Sequence, residues 1–430
     1  MTATLRGPLA RPFWTVLGLI AAVGLGARIA YILLIARGIP VQGDALTFHL
    51  LANYLADGHG FISPQTYAFQ GIVQPTAEHP PLYPLVLSAV SWLGGTGETV
   101  QRLASAVMGT GTVFVVGLLG RRVAGERVGL VAAAAAAVYP ILIVTDGTLE
   151  SESLYGLVIA LTLLSAYWLH DRPSLRSAAL LGALTALSAL VRAEASLLLV
   201  FLVLPLAWRA GGRALRGRRL AAAVVAFFLV LSPWLIRTWI VFDQPVWIST
   251  NSGSLIGGSN CPDTYHGDLL GLWRFQCLKP VKGNEVHKAA AWRRQGIDYA
   301  RDNAGRLPVV VAARVGRIWD FYRPNQNAAY ESFEGRDVRT EQIGTAVYYA
   351  LLAFAIAGAV LLRRRRAPLW ILLSTPLLVT VSGALGYGIT RLRMAAEISI
   401  VVLAAVAIVA LLEWLALAIP SSSETLEAQA

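Results

Sequence analysis

Hydrophobic residues fall into long uninterrupted windows near positions 13–36, 99–120, 127–145, 154–169, 176–191, 194–208, 220–242, 344–362, 367–386 and 394–418. A helix needs roughly 20 apolar residues to cross a bilayer core of about 30 Å, so the pattern predicts an all-α polytopic membrane protein with about ten spans. A further apolar stretch, Leu82 to Leu93, stops at Gly94-Gly95. It is too short to span and is expected to lie in the membrane interface.

The linkers carry a direction. Arg121, Arg122 and Arg127, then Arg172 and Arg176, then Arg209, Arg213, Arg216, Arg218 and Arg219, then Arg363 to Arg366 mark every second linker, which predicts a cytoplasmic side for those four. Arg6 and Arg11 fall on the same side ahead of the first window. That window is long for a cleavable leader, so none is expected. The intervening linkers then lie outside, among them the two longest polar segments, about 37–98 and 243–343.

The organisation expected is a transmembrane catalytic core over 1–242 that includes the first external loop, an external segment over 243–343, three closing spans over 344–418 and a disordered cytoplasmic tail over 419–430. No internal repeat is evident. The glycines Gly109, Gly111, Gly117 and Gly120 and the alanine run Ala132 to Ala137 suit close helix packing in lipid.

Composition sharpens this picture. Only 14% of residues are charged and 56% are hydrophobic, which excludes a soluble enzyme, a disordered chain and a nucleic-acid module. The net charge of +11 reads as topology before it reads as ligand binding. The two cysteines, Cys261 and Cys277, share the second external segment, where a disulfide is expected, with free thiols as the other outcome. Lysines are confined to Lys279, Lys282 and Lys288, a bias that suggests a GC-rich bacterial genome.

Candidate chemistry gathers at the outer ends of the spans, where a charge must be solvated, paired or used. Asp44 opens an amphipathic helix, as an N-terminal cap or as a functional acid. Glu78 and His79 precede two prolines that fix an extended entry to a helix. Asp146, Glu150 and Glu152 crowd into one outer loop and would repel each other unless a cation or hydroxyl-rich ligand intervened. Arg192 with Glu194, Arg237, Arg391 and Arg393 supply guanidinium groups at headgroup depth, suited to phosphate or to anchoring. Asn251, Tyr265 and neighbouring tryptophans offer amides and aromatic faces to a sugar acceptor, or serve as an interface belt. No phosphate loop, dinucleotide fingerprint, zinc-protease or serine-hydrolase motif is present, so nucleotide substrates are not expected.

At these residues the sequence resembles the GT-C superfamily of integral-membrane glycosyltransferases, in the branch of protein O-mannosyltransferases and lipid A aminoarabinose transferases. The resemblance runs through HPPLYPLVLS, GRRVAGERVGL, LESESLYGL, ALVRAE, SPWLIRTWIVFDQPVWISTNSG and TRLRMAAE in that order. It implies a GT-C-like fold and a multi-pass enzyme of the inner membrane working on its extracytoplasmic side. A sugar would move from a polyprenyl-phosphate-sugar donor to a hydroxyl on a cell-envelope glycan, lipid or protein, with inversion.

In that reading Asp44 is the essential aspartate of the first external loop, acting as base toward the acceptor, and Glu152 resembles the acidic residue of the second external loop, with Glu150 as the competing assignment. His79, standing where some relatives carry lysine, joins Arg192, Arg237, Arg391 and Arg393 around the donor phosphate. Glu78, Asp146, Asn251 and Tyr265 fall to the sugar or acceptor. A divalent metal, Mg or Mn, serves some members and not others. The rival readings are a lipid-linked-glycan transporter or flippase and an O-antigen-type ligase or polymerase. A transporter should show related halves and midplane charges, neither of which is seen.

Overall fold

A computed structural model of the chain describes residues 10–209 and 213–418. Arg6 and the tail 419–430 lie outside them. The described residues are helical, joined by short turns, with one isolated bridge between Ile62 and Pro75.

The first half runs α1 (Ala10–Leu34), α2 (Gly43–Ala56), α3 (Pro64–Gln70), α4 (Leu82–Trp92), α5 (Glu98–Ala124), α6 (Glu126–Val138), α7 (Pro140–Gly147), α8 (Glu152–Asp171) and α9 (Leu175–Val191). After two irregular turns come α10 (Leu204–Arg209) and α11 (Arg216–Phe242). The second long polar segment folds as α12 (Asn251–Ser259), α13 (Pro262–Tyr265), α14 (Glu285–Asp302), α15 (Leu307–Ile318) and α16 (Pro324–Glu331), and the chain closes with α17 (Val338–Arg364), α18 (Trp370–Leu385) and α19 (Met394–Ala418).

Six helices among the described residues are long and apolar enough to cross a membrane, and α6 with α7 would make a seventh, bent by 53°. The bend follows from Tyr139-Pro140. A residue before proline avoids the helical region, and Tyr139 adopts φ −69°, ψ 115°. The remaining apolar windows expected as spans are shorter. α9 has 17 residues and α18 has 16, while 194–208 is not one helix. It divides into a 3-10 turn (Ala193–Leu197), a π turn (Leu199–Val203) and α10, where Pro205 withholds a backbone donor from the preceding turn. α4, with 11 residues, measures about 16 Å and cannot span. It packs on α2 and α5.

α8 is the most enclosed of the six long helices, with 72% of its apolar window buried, whereas α11 and α17 bury 28% of theirs. Around it pack α5, α9 and α19. Small residues make this possible: a Cβ on Gly120 would meet Gly129 Cα at 3.0 Å and Ala132 Cβ at 3.1 Å, so α5 and α6 touch nearly backbone to backbone. The burial places Glu152, in the first turn of the central helix, at one end of the bundle. The loops before α2, α8, α17 and α19 converge on that same end.

Candidate active site

Asp44 lies in the first turn of α2, where the helix N-terminus favours a carboxylate. Its Oδ2 accepts from Arg391 Nη2 at 2.7 Å, and its Oδ1 stands 3.7 Å from His79 Nε2. Arg391 sits in the 3-10 turn Thr390–Arg393 that opens α19, and its Nη1 donates to Glu150 Oε1 at 2.6 Å. One guanidinium therefore joins the first long loop, the loop before α8 and the start of the last span.

Further carboxylates complete the cluster. Glu331, at the end of α16, holds the arginine turn by accepting from Thr390 Oγ1 (2.7 Å) and from the Arg391 backbone N–H (2.8 Å). Glu334 Oε1 stands 3.7 Å from Arg391 Nη2, and its Oε2 accepts from the Asp44 N–H at 3.4 Å. This carboxylate presses on Gly43, whose φ of +60° leaves the room that a side chain would fill. Arg336, buried beneath, reaches Glu150 at 3.3 Å, Glu331 at 3.6 Å and Glu341 at 2.9 Å.

Arg192 belongs to the same end. Its Nη1 donates to Glu152 Oε1 at 2.5 Å and its Nε to Glu194 Oε1 at 2.6 Å. Beside it opens a cavity of about 220 Å³ with mostly apolar walls, including Tyr155, Leu255, Leu378, Leu392 and Tyr387 along with Arg192 and Glu194.

The electrostatics follow from these contacts. Burial pushes the Asp44 carboxyl up, but Arg391 and His79 outweigh it and hold the group down at about 2. Glu150 is enclosed completely, and burial together with the neighbouring Glu152 pushes it up against the pull of Arg391 and Arg336.

The sequence-predicted residues divide sharply. Asp44, His79, Glu150 and Arg391 meet directly, and Glu152 and Arg192 form an adjoining pair. Glu78 is exposed next to His79, and its backbone carbonyl accepts from Ser249. Asn251 starts α12 and accepts from Ser254.

Four others are engaged elsewhere. Asp146 turns inward to Arg28 of α1 at 2.5 Å, both buried, so it does not face a sugar site. Arg237 donates to the carbonyls of Thr76 (2.7 Å) and Phe61 (2.8 Å), bracing the first long loop. Arg393 pairs with Glu397 at 2.5 Å over the Tyr348 ring. Tyr265 is buried in a separate cluster with Leu270, Val310 and Ala313, its hydroxyl donating to Asn260. Cys261 and Cys277 form a disulfide in the same segment.

Arg28, Glu285, Glu331, Glu334, Arg336 and Glu341 were not singled out in the sequence. Glu285 accepts from Thr76 Oγ1 (2.6 Å), the Ala77 N–H (2.8 Å) and Thr250 Oγ1 (2.5 Å), and so fixes the segment that delivers Glu78 and His79. For Glu331, Glu334, Arg336 and Glu341 the only signal was the charge spacing in ESFEGRDVRTEQ at the start of an apolar window; Arg28 and Glu285 had none.

Residues 78–237 match the family model described as dolichyl-phosphate-mannose-protein mannosyltransferase. The oligosaccharyltransferase of Archaeoglobus fulgidus in its apo form superposes with a TM-score of 0.57 at 15% identity, covering 94% of this chain and 51% of that one. The fold is of the GT-C type.

The same archaeal protein with an inhibitory peptide and a dolichol-phosphate gives 0.57 at 14% identity, over 96% of this chain and 52% of that chain. This chain thus spans about half the length of that protein. ArnT from Cupriavidus metallidurans bound to undecaprenyl phosphate scores 0.42 at 15% identity, covering 93% and 78%. No curated protein matches the chain.

The archaeal oligosaccharyltransferase is also known in complex with Zn and sulfate (TM-score 0.57, 16% identity, 93% and 49% covered). Here the carboxylates converge on guanidinium groups, and among the described residues no three His, Cys, Asp or Glu side chains are disposed around a common metal position. In this arrangement the donor set does not fit a divalent ion.

Proposed function

We propose that this protein transfers a sugar from a polyprenyl-phosphate-sugar donor to a hydroxyl acceptor at the extracytoplasmic face of the inner membrane, inverting the anomeric centre. The observation that carries the reading is the 2.7 Å contact of Asp44 with Arg391, next to an apolar cavity headed by Arg192. The alternation of arginine-bearing linkers supports the outer placement, because the Asp44 end is opposite the basic loops.

The acceptor oxygen attacks the anomeric carbon while Asp44 takes its proton. The bond from that carbon to the phosphate oxygen breaks, and the prenyl phosphate leaves with the electron pair. Arg391 and Arg192 stabilise the charge that gathers on the departing phosphate, a contribution realised mainly in the transition state. His79, 3.7 Å from Asp44, orients the base. The cavity walls receive the first apolar part of the lipid.

The test is transfer of radiolabel from polyprenyl-phosphate sugars to envelope acceptors by the purified chain. The parent is expected to transfer and Asp44→Asn to lose transfer while still inserting into membranes. Equal activity in the two removes Asp44 as the base.

A further inference from the structure

The ion-paired network at this end holds seven carboxylates, Asp44, Glu150, Glu152, Glu194, Glu331, Glu334 and Glu341, against three guanidinium groups, Arg192, Arg336 and Arg391. All three guanidinium groups are already engaged by carboxylates, so an incoming anionic headgroup finds none of them free. It can enter only by exchange, one anion leaving as another arrives.

Exposure says which carboxylate can leave. Glu150 and Glu152 are sealed at 0% and 1%; Asp44, at 32%, and Glu334, at 20%, are open but face Arg391 and do not line the cavity, whereas Glu194, 27% exposed, lines it together with its partner Arg192. Glu194 also rides on the 3-10 turn Ala193–Leu197, directly ahead of the π turn, so its backbone is not locked in a regular helix. A second, independent feature points to a ligand. Tyr155, whose ring lies 5.9 Å from the Arg192 guanidinium carbon and which lines the same cavity, has a buried hydroxyl with no hydrogen-bond partner, a state that costs free energy until a partner arrives.

We propose that Glu194 is a resident stand-in for a lipid phosphate: in the empty protein it occupies Arg192 at the mouth of the apolar cavity, and it swings to water when a prenyl phosphate takes its place. The incoming phosphate then receives Arg192 Nε and the Tyr155 hydroxyl, and the adjoining apolar chain fills the cavity, which is larger than the roughly 150 Å³ that accommodates a benzene. With the phosphodiester of a sugar-loaded donor the exchange replaces one negative charge at Arg192 by another, and with a prenyl phosphate monoester it adds part of a second. It also makes the donor compete with a tethered carboxylate, which lowers its apparent affinity by the fraction of protein in which Arg192 is free. This inference rests on the donor reading above.

The experiment measures binding of tritiated decaprenyl phosphate to the purified full chain in phosphatidylcholine nanodiscs. Glu194→Gln should bind about three- to tenfold more tightly than the parent, a gain that a merely structural residue would not produce. Tyr155→Phe should bind about tenfold more weakly with an unchanged unfolding temperature. Inorganic phosphate should compete poorly, and decaprenol should not compete.

Unchanged or weakened binding in Glu194→Gln overturns the proposal, as does competition by inorganic phosphate equal to that of the lipid. If that happens while the parent binds prenyl phosphate and Asp44→Asn abolishes transfer, the donor reading survives and only this inference falls. A parent that binds no prenyl phosphate overturns both.

Discussion

Asp44 and Arg391, separated by 347 positions, meet through a single 2.7 Å hydrogen bond. The pair closes the first long loop on the start of the last span and holds the Asp44 carboxyl well below its ordinary range.

That depression has a pH consequence. Asp44 is held at about 2 chiefly because the guanidinium and His79 overcome the cost of burial, so removing the guanidinium raises the group towards an ordinary carboxylate value or above. Residual transfer by Arg391→Gln should therefore show an acid limb at higher pH than the parent, with activity lost as pH falls through the raised value. An acid limb at the same pH in both would contradict the assignment.

Arg336 is the counter-charge for Glu150, Glu331 and Glu341, and all four side chains are at most 4% exposed. Arg336→Met strands buried carboxylates, at a cost of about 3–5 kcal/mol. The unfolding temperature in nanodiscs should fall by more than about 5 °C. A shift within about 1 °C would show that the network is dispensable.

Gly109 faces Asp146 so closely that any Cβ would overlap its carboxylate. Gly109→Val should push Asp146 from Arg28 and leave little monodisperse protein in size-exclusion chromatography. Gly18→Val, which has open space around it, is the matched control and should behave as the parent. Equal yields would contradict the packing described.

Glu285→Ala removes three hydrogen bonds that hold Thr76, Ala77 and Thr250. Because the residue touches neither Asp44 nor Arg391, it acts by positioning Glu78 and His79. The turnover rate should fall roughly tenfold with little change in the unfolding temperature. Unchanged turnover would remove it from the site's support.

Asp44, Glu150 and Arg391 were legible in the sequence because charges at the ends of apolar windows need a reason to be there. Their partnership was not, since no local pattern couples residues hundreds of positions apart. Pro140 carried the α6–α7 bend openly, yet the continuous apolar window concealed it. Arg28 was hidden inside a span, and its buried partner Asp146 looked like one more exposed acid in a loop. Tyr265 shows the opposite ambiguity: an aromatic in a polar segment reads as a sugar platform or as part of an interface belt, and here it packs instead with Leu270, Val310 and Ala313. Glu331, Glu334 and Arg336 went unread, because sequence does not reveal which polar loop is pressed against a helical bundle.

The account stands or falls on Asp44 acting as the base towards the acceptor. Single-turnover transfer from bound, radiolabelled prenyl-phosphate sugar is the direct measurement, with donor binding determined on the same samples. Asp44→Asn should retain bound donor and lose at least about a hundredfold in the rate of sugar transfer. A variant that binds donor and transfers it at the parent rate would contradict the account.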